Sequence, residues 1–411
     1  MLQYDSQPLI AIALVAVTFF WCSAEAEDVG SQNQIEAALK ASKPLLDLRL
    51  RHETADEDGF AEAAETLTYR VRAGLETGTA FDTSFLIEFE HVDDLIDDYN
   101  STINGKSGFP VVPDPQSTEL NRFQITNTSL PGTRTTLGRQ RIVLDDSRFV
   151  GNVGFRQNEQ TLDAVRFQNT SFGKLLFDAT YFNQVNRIFG DDSPVGRWHG
   201  DSYLLNVSHP TPLGKLNAFA YLIDVDESVG MNASQTFGAR LKGEKVLTVG
   251  KITYAASLAR QADYGSSDFE YSAEYYAAEG KYVSEYFNFG LGIESLGGDA
   301  QRGFQTPLAT LHKFQGWADK FLSTPATGVE DVYAQAGYSP GNVGALSGVK
   351  LLAVYHDFSA ETGGGHYGDE VDLLATAKWR DVNLSVKYAN YNADEFASDT
   401  RKVWFEVEYA F

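Results

Sequence analysis

Cysteine is almost absent from this chain of 411 residues. The single one, Cys22, allows no internal disulfide, and no lipobox-like pattern of small residues precedes it, so thiol and thiolate-metal functions drop out. Long apolar runs are scarce as well. Only residues 8–22 form one, and it is shorter than the roughly 20 residues a membrane helix needs. Ala24-Glu25-Ala26 follows with the small-x-small form of an export cleavage site, which predicts a signal peptide over 1–26, cleaved after Ala26. No Lys or Arg lies ahead of the run, so an uncleaved anchor is the alternative. Positive charge is also in deficit, with 33 Lys and Arg against 56 Asp and Glu and a formal charge of −23. That balance argues against nucleic acid, because phosphate binding needs a clustered basic face.

Tyrosine and phenylalanine are plentiful, at 20 and 27, and they sit in short alternating stretches. The C-terminus puts Val403, Phe405, Val407, Tyr409 and Phe411 on one parity and Lys402, Trp404, Glu406 and Glu408 on the other. Such a period of two marks a strand with two unlike faces. The same pattern sets Leu48 and Leu50 against Arg49 and Arg51, Tyr69 and Val71 against Arg70 and Arg72, and Phe85, Ile87 and Phe89 against Glu88 and Glu90. One face meets hydrocarbon and the other water, since a Lys or Arg on the lipid face near mid-bilayer costs about 2–4 kcal/mol. A terminal aromatic strand of this form also suits the barrel assembly machinery.

Counting these segments predicts strands near 45–53, 67–75, 81–91, 120–128, 134–142, 162–171, 174–187, 201–208, 214–224, 233–243, 249–262, 269–279, 286–296, 329–339, 346–358, 367–379, 381–392 and 399–411. The fold class expected is therefore all-β, an 18-stranded antiparallel transmembrane β-barrel of outer-membrane type over 45–411. Residues 27–44 precede it as a short periplasmic or lumenal segment, with a short helix at 35–41. Long connections at 54–66, 92–119, 143–161 and 297–328 alternate with tight ones such as 172–173 and 380, as this barrel class requires. The location implied is the bacterial outer membrane, in contact with its lipid and lipopolysaccharide.

Lumen parity assigns Arg49, Arg51, Arg70, Arg72, Arg122, Arg139, Arg141, Arg166, Arg240, Lys242, Lys350, Lys378, Lys387 and Lys402 inward. The inward acids are fewer: Glu88, Glu90, Asp178, Glu270, Glu274, Asp372, Glu406 and Glu408. A net-positive lumen follows, with the acid displaced to loops at Asp56, Glu57, Asp58, Glu62, Glu65, Asp93, Asp94, Asp97 and Asp98. Those acids read as solvated loop charge before cation bridges to lipopolysaccharide or a loosely held Ca²⁺. Glu406 and Glu408 should neighbour Arg49 and Arg51 across the closing seam, and Glu88 and Glu90 should neighbour Arg70 and Arg72, as cross-strand ladders that hold register. Arg122, Arg139, Arg141 and Arg166 have fewer acids nearby and are expected to face solute.

The run Leu137-Gly138-Arg139-Gln140-Arg141, continuing through Asp145, Asp146, Arg148, Phe149, Gly151-Asn152-Val153-Gly154, Arg156-Gln157-Asn158-Glu159-Gln160-Thr161 and Asp163, resembles the alginate-export family of outer-membrane porins. His312-Lys313-Phe314-Gln315-Gly316-Trp317-Ala318-Asp319-Lys320-Phe321 resembles it too. The resemblance implies a monomeric barrel whose narrow lumen, lined with basic side chains, passes an anionic oligo- or polysaccharide. It makes Arg139, Arg141, Arg148 and Arg156 the candidates for the constriction, with Arg122 and Arg166 beside it. Asp145, Asp146 and Glu159 would hold those arginines in place.

The function expected is passive, anion-preferring polysaccharide transport of the alginate-export kind, with a general small-solute porin as the alternative and a periplasmic partner left open. No cofactor or metal is implied: the seven histidines, 52, 91, 199, 209, 312, 356 and 366, show no paired ligand spacing. No enzyme is expected either. Gly337-Tyr338-Ser339-Pro340-Gly341 matches G-x-S-x-G, but it falls at a predicted periplasmic turn with no helix after it. The aromatic loop 297–328, with Phe304, Phe314, Trp317 and Phe321, could cap the pore or meet a partner.

Overall fold

A computed structural model describes residues 28–226 and 233–411. The expected signal peptide at 1–26 lies outside the described residues. The chain begins with helix α1 (Asp28–Lys40) and then runs through strands β1 (Lys43–Glu57), β2 (Ala64–Glu76), β3 (Thr83–Asp98), β4 (Ser117–Asn127), β5 (Thr133–Gln140) and β6 (Thr161–Asn169). It continues with β7 (Leu176–Asn186), β8 (Arg197–Thr211), β9 (Gly214–Ile223), β10 (Ser234–Val246), β11 (Lys251–Asp263) and β12 (Ser272–Val283). The last third holds β13 (Phe287–Leu296), β14 (Val329–Val343), β15 (Leu346–Ser359), β16 (His366–Trp379), β17 (Val382–Ala393) and β18 (Thr400–Ala410). Every strand pairs antiparallel with its sequence neighbour, and β1 pairs with β18, so the 18-stranded sheet closes. Closure is what hydrocarbon demands, because an unpaired backbone N–H or C=O there costs several kcal/mol.

The two faces of the wall follow the sequence alternation. Phe89 on β3, Leu291 on β13 and Phe405 on β18 are 53%, 70% and 51% exposed, while Arg51, Arg70 and Trp404 on the other parity are buried. Apolar side chains therefore point out and most charged ones point in, the reverse of a soluble sandwich. The seam register is the expected one, with Arg49 opposite Glu408 and Arg51 opposite Glu406. Between β2 and β3 the pairing is only half as expected. Arg72 faces Glu90, but Arg70 faces Val92 and Glu88 faces Gly74. No side chain fits at Gly74, since a Cβ there would run into the Ile87 carbonyl and Glu88.

The strands reach further on the long-loop side than hydropathy alone suggests. β3 extends to Asp98, so Asp93, Asp94, Asp97 and Asp98 stand on a strand and not in a loop, and β1 carries Asp56 and Glu57. Ladder hydrogen bonds need no apolar side chains once the sheet has left the bilayer. The helix is longer than expected and sits at the short-turn end, where the Ala38 carbonyl accepts the Gly78 amide at 3.0 Å.

If this parity is correct, Leu291→Arg should lower barrel stability by about 2–4 kcal/mol in a denaturant titration of protein refolded into vesicles. An unchanged midpoint would place Leu291 away from lipid.

Candidate functional site

Two of the long connections turn inward. Loop 3 (141–160) and loop 7 (297–328) clasp each other: the Gly151 amide donates to Leu308 O at 2.8 Å, the Thr310 amide to Ser147 O at 3.0 Å, and Val150 bridges Leu308 in parallel. Asp145, Ser147 and Val153 take positive φ of 53°, 72° and 51°, which bends loop 3 back on itself. Ile142, Val150, Phe304, Leu308 and Phe321 pack with Trp404 of the wall into a core inside the barrel. The aromatic loop thus lies within the lumen.

The wall holds loop 3 through its arginines. Arg49 pairs with Glu408 at 2.7 Å and donates to the carbonyls of Gly154, Phe155 and Arg156 at 3.0, 3.3 and 3.2 Å. Arg51 pairs with Glu406 at 2.6 Å and donates to the Phe155 carbonyl. Arg70 pairs with Asp47 and Arg72 with Glu90, and both donate to Gln157 O, at 3.4 and 3.2 Å. A guanidinium has five donors, so one can satisfy a carboxylate and a row of loop carbonyls together. These four arginines form a rail on which the backbone of 154–157 is seated.

The remaining sequence candidates are also clamped. Arg122 takes Glu88 in a fork at 2.8 and 2.7 Å, and Arg166 takes Asp178 at 2.5 Å. Arg141, the most exposed of them, is held by Glu159 at 2.5 Å. Arg148 is buried against Glu294 at 2.5 Å and reaches Thr306 and Gln315 of loop 7. Arg156 bridges Glu53 and Asp319, both at 3.1 Å. The expectation that Arg122, Arg139, Arg141 and Arg166 have fewer acidic neighbours is therefore overturned.

Arg139 departs furthest from expectation. It stands in register with Phe123 and Asp163, and Phe123 is 46% exposed on the outer face. Arg139 is thus on the outward parity near the loop end of β5, forked to Asp163 at 2.8 and 3.1 Å and donating to Leu120 O at 2.9 Å. The stretch Thr133-Arg134-Thr135-Thr136 has no apolar residue to reveal the parity. Glu274 is likewise on the exposed parity of β12, beside Tyr276, while Ala273 and Tyr275 face in, and Glu270 lies in the loop before β12.

Of the three acids expected to hold the constriction, only Glu159 does so. Burial alone would raise its carboxyl, yet Arg72 and Arg141, with hydrogen bonds from Arg141 and Asn152, outweigh that and hold it down at about 2. Asp145 instead accepts from Asn206 and Asn217, and Asp146 pairs with Arg240 at 2.7 Å.

Phe155 marks the centre of the plug. Its ring stacks on His312 at 3.5 Å, and the cations of Arg51, Lys387 and Arg156 lie 4.4, 4.6 and 5.1 Å from its centroid. His312 bonds Asp319 at 2.8 Å and Lys387 at 2.6 Å, and burial, with Lys387 and Arg156 nearby, lowers its pKa to about 3. Sequence reading missed Phe155, Glu53, Asp319 and Glu294. No local pattern points to them, because each acts by meeting a distant segment.

Open volume remains beside the plug. A cavity of about 410 Å³ lies between the plug and β10–β15, and Arg240, Lys242, Lys281 and Lys313 line it together with aromatics that include Phe314 and Tyr333. Arg240 and Lys281 have acid partners, whereas Lys242 makes no ion pair among the described residues. On the same lumenal parity Lys350 and Lys378 share a second space near the short turns with Glu406 and Glu408, and Lys215 stands apart on β9. Asp146, Glu279, Glu294 and Asp331 also line the cavity beside the plug, so its charge is mixed.

Gly337-Tyr338-Ser339-Pro340-Gly341 lies within β14 and not in a turn, and β15 follows directly with no helix, so no nucleophile elbow forms. Among the described residues no His, Cys, Asp and Glu cluster could hold a metal ion.

No family model and no curated protein matches the chain. Solved structures do. Pseudomonas aeruginosa OccK9 (OpdG) superposes with a TM-score of 0.71 at 12% identity, covering 91% of this chain and 99% of that one. Acinetobacter baumannii OccAB4 gives 0.69 at 12%, covering 90% and 98%. Pseudomonas aeruginosa OpdK, solved with vanillate, gives 0.68 at 14%, covering 90% and 98%. These are outer-membrane channels, and at such identities the likeness is one of fold. It supports the 18-stranded barrel fold, and it carries no support for the alginate-export resemblance as such.

Glu159→Gln should leave Arg141 and Arg72 short of a counter-charge and weaken the anchoring of loop 3 by about 3–5 kcal/mol, the scale for breaking a buried pair. Faster protease cleavage within 141–160 would report it. In the native protein this tether is complete above the ordinary glutamate pKa and is lost only as pH falls through about 2. Loop 3 should therefore stay protected at pH 4.

Proposed function

We propose that this protein is a passive, anion-preferring outer-membrane channel for small acidic saccharides of the uronate class. The observation that carries the reading is the cavity beside the plug, where Lys242, Lys313 and aromatic rings line one space, and its acids Asp146 and Glu279 are taken by Arg240 and Lys281. A carboxylate gains from the cations, and a sugar ring can lay its C–H face on an aromatic side chain. Flux needs weak sites, near millimolar or about −4 kcal/mol, and single lysines in a wet lumen suit that better than clamped arginines do.

The ten arginines enter this reading in three groups. Arg49, Arg51, Arg70, Arg72, Arg148 and Arg156 shape the passage by fixing loops 3 and 7. Arg122, Arg141 and Arg166 stand on the opposite, β4–β6 side, with their charge answered by acids. Arg139 stands on the outward parity and takes no part in the passage.

With both loops docked, the passage suits monomers and short oligomers better than a long extended polyuronate. The vanillate named with OpdK is itself a carboxylate on a ring, which makes aromatic acids a useful comparison solute. A second reading, a small-solute porin without saccharide preference, draws on the pairing of all ten arginines.

Reversal potentials in a planar bilayer under a KCl gradient should show anion preference, and galacturonate oligomers should reduce the current. A current without anion preference and indifferent to oligouronates would favour the second reading. Converting Lys242 and Lys313 together to Glu should lower the anion-to-cation permeability ratio by roughly twofold to tenfold, an entry-barrier change of up to about 1.4 kcal/mol. Arg139→Gln should leave the ratio unchanged.

A further inference from the structure

Loop 7 is seated on an unusual support. Its Trp317 amide donates to Glu370 Oε1 at 2.5 Å and to Asp372 Oδ2 at 3.2 Å, and the Ala318 amide donates to Glu370 Oε1 at 2.7 Å. Two carboxyl groups thus converge on a single N–H. Glu370 and Asp372 are adjacent inward residues of β16 and both are fully buried. Neither is forked to a guanidinium, unlike the wall acids that hold loop 3. Glu370 Oε2 and Asp372 Oδ1 accept no hydrogen bond from any N–H or hydroxyl donor of the described residues.

The charged and titratable groups around the pair are shared with other partners. On β14 and β15, Asp331 accepts from His356 Nδ1 at 2.9 Å, which leaves His356 Nε2 3.7 Å from Asp372. On β17, Lys387 is directed at His312 and sits 3.9 Å over the Trp317 ring, and Tyr391 donates to backbone carbonyls. Within loop 7 itself, Asp319 is taken by Arg156 and His312, and Lys320 by Glu57 at 2.8 Å. Two adjacent buried carboxylates without a dedicated cation cannot both stay ionised cheaply, so they share a proton.

We propose that Glu370 and Asp372 form a proton-operated latch on loop 7, which holds 317–318 against β16 while the pair shares a proton and releases it when both carboxyls ionise. Release brings water to the two carboxylates and widens the adjoining passage, which Trp317, Asp331 and His356 also line. The docked state binds one proton more than the released state, so docking weakens as pH rises and conductance increases with it. Gly316 makes the fit close: at φ +77° it lies against Glu370, and a Cβ there would collide with the carboxylate. This latch rests on the channel reading and regulates the same passage.

The test is single-channel conductance in symmetric KCl from pH 4.5 to 8.5, a readout that does not depend on anion preference. The wild type should pass from a low to a high state with rising pH, its open-to-closed ratio changing by up to about tenfold per pH unit. The isosteric neutral pair E370Q/D372N should stay low throughout, and His356→Gln should keep the dependence. Should the double variant fail to assemble, Gly316→Ala, whose methyl displaces the loop, should stay high at every pH. A flat wild-type response in barrels that do prefer anions sinks the latch alone. Survival of the pH dependence in E370Q/D372N or in Gly316→Ala overturns it as well.

Discussion

Hydrocarbon against the outer wall is the constraint from which the other features follow. With no water there to bond the backbone, the sheet has to close, and closure through the β1–β18 seam brings Arg49 to Glu408 and Arg51 to Glu406. The same hydrocarbon drives charge to one parity of each strand. Polar side chains then crowd a narrow interior more densely than water can solvate them, and they neutralise one another in buried guanidinium–carboxylate pairs. Those pairs in turn become a scaffold with spare N–H donors, and the backbone of 154–157 occupies them.

Once loop 3 is seated, the position of the passage is decided. Loop 7 closes over loop 3, Phe155 sits among three cations, and the β1–β7 side of the lumen fills. Solute is left the β10–β15 side. The cations near the short turns remain accessible there because no inward loop descends to them.

Much of this was legible in the residues. All eighteen strands, their alternation of short and long connections and the seam pairs were readable, because Leu48, Leu50, Phe405 and Val407 announce their faces unaided. Where a strand lacks that contrast, parity was misread. The Thr-rich start of β5 carries no apolar marker before Arg139, and the neighbouring rings of Tyr275 and Tyr276 give β12 an aromatic on either face. Glu279, Glu294 and Asp331 consequently escaped notice as inward acids, and the lumen looked more uniformly basic than it is.

By itself the sequence determined that the chain makes a closed membrane barrel of eighteen strands, since period-two patterning is a property of neighbouring residues and survives without knowledge of anything distant. Which charges answer one another was decided only by the tertiary structure. Arg156 and Asp319 meet across 163 positions, and Arg148 and Glu294 across 146. Contacts of that span depend on how two irregular loops fold back into a shared cavity, and no local periodicity encodes such a path.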